Sequence, residues 1–246
     1  MATARPLLLD VLDTIPKDHS KLEAWRESNR ASMTAAGQYR SHIMWRVQNL
    51  LRMFERLGRA RQLLLRSPPQ SRSPTNRLDR SDWTQYHFWV FTACLPAILD
   101  CCLLLTASIC QLGIPPRLCS FDLITSHEWL SGTGLPRALK SLRKSLAGHT
   151  QRRHRYLHRG EEPDFGELTD PEWLMDLKQV TFLHGLGDVP IDKRLLAGAW
   201  RATLRELRPV LDSAERSALE GTDGVLQALS PHFERRVQLL GNTLRK

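Results

Sequence analysis

Two histidines, His154 and His158, stand four residues apart in QRRHRYLHRG, residues 151–160, among Arg152, Arg153, Arg155 and Arg159, with no carboxylate before Glu161. Like charges at helical neighbour spacing repel by about 0.2–0.5 kcal/mol per pair, so such density on one segment calls for an anion opposite it. On a helix His154 and His158 share a face, and Arg155 lies on nearly the same side. Arg153 is about 140° from His158, but a long side chain near a helix end swings round to the same ligand. An imidazole with a pKa near neutrality takes or gives a proton, while a guanidinium neutralises a phosphate and the charge that develops on it during transesterification. A base for the 2′-hydroxyl and a cation on the scissile phosphate suffice to cleave RNA without a metal.

Other chemistries fit less well. His149, His154 and His158 contain a ligand pair at four-residue spacing, but no Glu follows the first His as in zinc hydrolases and the neighbouring arginines repel a cation. No metal and no cofactor are therefore expected. Gly185 and Gly187, after His184, form a GxG that lacks a third glycine, a preceding strand and a Walker lysine, which argues against a phosphate loop. Ser126, His127 and Glu128 are adjacent in sequence and read as a helix start, not as a nucleophile with its base. Two plainer readings compete: a module that binds RNA, nucleotides or a protein through charge alone, and a solvated basic helix end.

The elements that must position these residues are helical. Apolar residues recur three and four apart and no segment alternates as a half-buried strand does, so the chain is expected to be all-α. An Arg-rich helical region occupies residues 1–66, with a helix from about Ser20 to Arg66, bent near Gly37. Its second half puts Ile43, Val47, Leu50, Leu51, Phe54 and Leu57 on one stripe and Arg40, Arg46, Arg52, Arg56 and Arg59 mostly elsewhere. Residues 67–81, rich in Pro, Ser and Arg, read as a linker or loop. A long apolar helix follows, capped by Asp82 and ending near Gly113, before Pro115 and Pro116, with a kink at Pro96. After an irregular stretch with Phe121, Trp129 and Gly132, a helix from about Pro136 carries Leu139, Leu142 and Leu146 on one face and ends at Gly160 as its cap. Between Pro136 and Gly160 there are Arg137, Lys140, Arg143, Lys144 and the four arginines of the motif, with no Asp or Glu. Downstream, Thr169 or Asp170 caps a helix opened by Pro171 and Glu172, and packing helices fill 171–246, one over about 190–208 and shorter ones over 211–220 and 231–245.

Arg153, His154, three further residues and His158 resemble the Arg-polar-x3-His motif of HEPN domains, helical bundles in which a long apolar helix precedes the motif helix and often carries an acidic residue facing the motif. Asp100 looks like that acid. The resemblance covers roughly residues 82–170 and implies a HEPN-like bundle with N- and C-terminal helical extensions. It further implies a homodimer whose motif helices form a composite cleft for RNA, and a ribonuclease of toxin or defence type, with an antitoxin or regulatory protein as a further partner. Carried over residue by residue, His158 is the general base or acid, Arg153 holds the phosphate, His154 orients or assists, and Asp100 fixes Arg153. Arg152, Arg155, Arg159, Lys144 and Arg143 would then contact RNA.

The bulk properties agree with such a partner. The 246 residues carry a formal charge of +9, and Arg and Lys contacts to phosphate supply most non-specific affinity for nucleic acid. Cys94, Cys101, Cys102, Cys110 and Cys119 form no CxxC and no zinc-finger spacing, and are expected to be reduced, buried thiols of a cytoplasmic protein. Asp10 and Asp13 break the first apolar patch, which argues against a secretion signal. Residues 88–114 are long enough to span a bilayer, yet Pro96 and Asp100 in their middle favour a helix buried among other helices, without a membrane partner.

Overall fold

Ile43, Leu50, Leu57 and Leu64 recur every seventh residue and all four are buried. That interval keeps them on one side of a helix, and they form the inward stripe of α1, Ala35–Leu64. Val47, Leu51 and Phe54, expected on the same stripe, are half-buried at its margins, while Arg40, Arg52, Arg56 and Arg59 face solvent. Gly37 lies within the first turn of this helix. The structure is a computed structural model that describes residues 35–66, 80–159 and 193–242. The first helix before residue 35, the Gly160 cap, the helix opened by Pro171 and the His184 glycines lie outside the described residues, as does the linker expected over 67–81 except for residues 80 and 81, which are helical.

The apolar run forms α2, Arg80–Ile109, which contains Pro96. Asp82 is therefore inside the helix and not at its cap. Phe88, Phe91, Leu95, Ile98, Leu99, Cys102, Leu103, Leu105 and Ile109 are buried, as expected for a helix covered by protein on most sides. By length and composition this helix, from Trp83, is able to cross a membrane, and 61 % of its most apolar window is buried inside the chain. Thr106 is tolerated in its core because its hydroxyl donates to the Cys102 carbonyl at 2.8 Å, one turn back. The helix stops at Ile109, four residues before the glycine expected to end it. Gln111 adopts a left-handed conformation, φ 49°, and the Leu112 N–H donates to the Ala107 carbonyl at 3.1 Å. This is the bond that closes a Schellman cap, and the Gln111 side chain is held by Arg236.

Short elements follow. Ser120 caps α3, Phe121–Thr125, by accepting the Leu123 N–H at 3.3 Å. His127 starts the 3-10 turn Glu128–Leu130 by accepting the Trp129 N–H on Nδ1, also at 3.3 Å, so Ser126-His127-Glu128 is a helix start. α4, Leu135–Ser145, buries Leu135, Leu139 and Leu142 and packs on α3. The expected single helix from Pro136 to Gly160 is interrupted at the buried Leu146, after which α5 covers Ala147–Arg159. The last element, α6, is one 50-residue helix, Lys193–Asn242, where three shorter helices were expected. Pro209 and Pro231 each remove one backbone hydrogen bond. The buried series Leu207, Leu211, Ala214, Ala218, Val225, Leu229 and Phe233 nevertheless continues past both prolines at helical spacing, so packing outweighs local propensity.

Among the described residues the fold is all-α, without strand. Two compact units are distinguished, and α1, α2 and α6 contribute to each. The first holds α1 up to Met53, the chain from Ala97 to Ser145, and α6 from Ala218. Within it the Tyr39 hydroxyl donates to the Ile109 carbonyl at 3.0 Å while its ring stacks on Phe233 at 5.8 Å. Gly221 meets Leu142 so closely that a Cβ there would lie 2.7 Å from Leu142 Cδ1 and 3.3 Å from its Cα; only glycine permits that approach without a shift. The second unit holds α1 from Phe54, α2 up to Pro96, α5, and α6 up to Ser217. There the Trp83 indole donates to the Leu63 carbonyl at 2.9 Å, and the Arg61 guanidinium donates to Asp212, with Glu215 at 3.4 Å.

Candidate functional site

The buried Leu146 separates the two basic helices, and its carbonyl accepts the Thr150 N–H at 3.1 Å and the Thr150 hydroxyl at 3.2 Å, which fixes the first turn of α5. Arg152, Arg153, His154, Arg155, His158 and Arg159 all belong to this helix. His154 and His158 therefore occupy successive turns about 40° apart in projection, with Arg155 about 60° from His158. Arg153 is half-buried and His154 exposed. The side chains of Arg152, Arg155, His158 and Arg159 lie outside the described residues.

Asp100 is the acid that the resemblance sets facing the motif. It is exposed on α2. It belongs to the first unit and the motif to the second. Within the first unit burial raises the Cys101 and Cys119 thiols, the Asp100 charge adds to that rise, and the Arg46 guanidinium acts on each in the opposite sense.

Arg143 and Lys144, also expected to contact RNA, are exposed on α4. Arg143 is already engaged by its own unit: Nη1 lies 3.3 Å from Asp122 Oδ1 and the guanidinium sits 4.2 Å from the centre of the Phe121 ring. That ion pair is open to water and worth little, so it competes weakly with a phosphate.

Sequence reasoning missed a polar seam between α1 and α2. His42 Nε2 and Ser108 Oγ are 3.2 Å apart, and burial followed by the Arg46 charge lowers the His42 pKa. One turn along α1, the Arg46 guanidinium lies 4.8 Å from the Trp45 ring centre. No sequence signal joins His42 to Ser108, since they are 66 positions apart. The five cysteines are free thiols, but only Cys94 and Cys102 are buried, and Cys101, Cys110 and Cys119 are partly exposed. Burial pushes Cys102 up to about 12 and Cys110 to about 11, which keeps both protonated and poorly nucleophilic at neutral pH. Among the described residues no group of three or more His, Cys, Asp or Glu side chains gathers as a metal site.

No family model, curated protein or solved structure matches this chain.

Proposed function

We propose that the chain is a HEPN-like, metal-independent ribonuclease, cytoplasmic and homodimeric, acting on RNA through the Arg153, His154 and His158 turn of α5. The observation that carries this reading is the helix itself. Ala147–Arg159 is continuous, free of acidic residues, and sets an arginine and two histidines on adjoining turns. In the proposed step His158 removes the proton of a ribose 2′-hydroxyl, and that oxygen attacks the adjacent phosphorus. The bond from phosphorus to the 5′-oxygen breaks, and the leaving alkoxide takes a proton from an imidazolium. The products are a 2′,3′-cyclic phosphate and a 5′-hydroxyl. Arg153 neutralises the phosphoryl oxygens as charge builds, and His154, exposed one turn away, orients the substrate or serves as the second proton carrier. The role of Asp100 in fixing Arg153 rests on the HEPN resemblance alone. A toxin or defence role, with an antitoxin or regulatory partner, follows from the HEPN resemblance alone. The burial of most of the α2 window favours a core helix over a membrane span, and the cytoplasmic location is proposed together with the RNA reading.

The second reading, binding of RNA without cleavage, is favoured by the acid-free, arginine-rich composition of α5, which attracts phosphate whether or not a proton is transferred. RNA incubated with purified protein and a chelator separates the two. Wild type degrades it and His158→Ala does not, while both retain salt-dependent binding. Equal RNA recovery with both proteins refutes the ribonuclease and leaves the binding module.

A further inference from the structure

Trp129 is 69 % exposed, and Leu118 and Leu123 stand out at 56 % and 43 %. Most exposed apolar side chains need no explanation, but a tryptophan exposed on an ordered turn in a segment rich in cations does. The backbone on both sides of Trp129 is fixed: its N–H donates to His127 Nδ1, the Leu130 N–H donates to the His127 carbonyl at 2.9 Å, and the Ser131 N–H to the Glu128 carbonyl at 3.0 Å. Leu130 beside it is buried and anchors the turn. The turn thus sets the position from which the indole projects, and with two side-chain torsions the indole loses little entropy when covered.

Phe121 lies on the same segment, with the Arg143 guanidinium 4.2 Å from its ring centre. A guanidinium seated over a ring and still exposed to water is available to a base as well. Over residues 116–145 the chain has five cations, Arg117, Arg137, Lys140, Arg143 and Lys144, against two carboxylates, Asp122 and Glu128. All five cations are exposed, and Asp122 is paired with Arg143. Charge therefore selects a polyanion over an acidic or neutral protein surface.

We propose that Trp129, with the Phe121–Arg143 stack, is a stacking platform for single-stranded RNA, carried by the first unit and distinct from the Arg/His turn of α5. The platform rests on the RNA reading above for the identity of the polyanion, but not on catalysis. Aromatic faces bind bases whose own faces are free, and cations along α4 follow the backbone. Duplex bases are stacked on one another and offer no such face, so the platform discriminates strandedness, not sequence.

The test measures binding in full-length His158→Ala protein, so that cleavage plays no part. Fluorescein-labelled oligouridine and an RNA duplex of equal length are titrated by anisotropy. Trp129→Ala weakens single-strand binding by roughly tenfold or more and leaves duplex binding unchanged, and Trp129→Phe restores most of the loss. Circular dichroism and melting confirm that the exposed substitution leaves the fold intact. Unchanged single-strand affinity in Trp129→Ala overturns the platform. So does a shift from dimer to monomer in sedimentation without a change in RNA affinity, which assigns the surface to a second copy of the chain. RNA cleavage by wild type, assayed separately, reports on the α5 turn alone, so each reading fails by its own readout.

Discussion

His87 is buried against Trp83 at 4.3 Å and Tyr86 at 5.1 Å, both edge-on, and burial lowers its pKa. The unfolded chain takes up a proton on this imidazole near its ordinary pKa of about 6.5, and the folded chain only at lower pH. Stability therefore falls as pH drops through that range. His87→Phe keeps a ring in the same place and removes the titration, so its melting temperature should decline less between pH 7 and pH 5 than that of the wild type. An equal decline would assign the acid sensitivity to other groups. At this scale the sequence was legible where the signal is local. The four-residue spacing of His154 and His158 survives in α5 because any helix preserves it. The exposure of Asp100 was not legible, because a carboxylate within an apolar run does not say which flank of the helix it occupies. His42 with Ser108 and Phe121 with Arg143 were invisible for another reason: tertiary packing, not spacing, brings them together.

Gly221 shows the same limit on the scale of elements. Its role comes from Leu142, which lies 79 positions earlier in the chain, and as a helical glycine it would otherwise be a liability of about 1 kcal/mol. Gly221→Val forces Leu142 and its helix to move and is expected to cost roughly 1–3 kcal/mol, seen as a lower urea midpoint with an unchanged slope. A midpoint equal to that of the wild type would show that the two helices yield without cost. The apolar stripes of α1 and α4 were readable because helical periodicity and the core face coincide. Helix ends were not. α6 runs through Pro209 and Pro231 because buried side chains on both sides of each proline hold the helix in place, and propensity rules count the lost hydrogen bond but not that packing. Leu146 interrupts the basic helix for no reason visible in its neighbours' types. α2 stops at Ile109, because Gln111, a non-glycine residue, adopts the left-handed cap conformation and Arg236 holds its side chain.

For the whole molecule, a charge of +9 makes affinity for nucleic acid strongly salt-dependent. Each phosphate neutralised on a single strand contributes about −0.7 to the slope of log affinity against log salt. Replacing Lys140 and Lys144 together by Ala should make that slope shallower by roughly 1.4. An unchanged slope in anisotropy titrations would place the phosphate contacts elsewhere. The all-α class followed from composition and periodicity, because nothing in the chain competes with helix, whereas the division into two units that share long helices has no signature in sequence. The central claim is that the Arg153, His154 and His158 turn breaks phosphodiesters by internal attack of the 2′-hydroxyl. Mass spectrometry of a short RNA, incubated with the protein and a chelator, tests it most directly. Fragments ending in a 2′,3′-cyclic phosphate, formed by wild type and absent with His158→Ala, are the predicted result. Intact RNA, or identical fragments from both proteins, would contradict it.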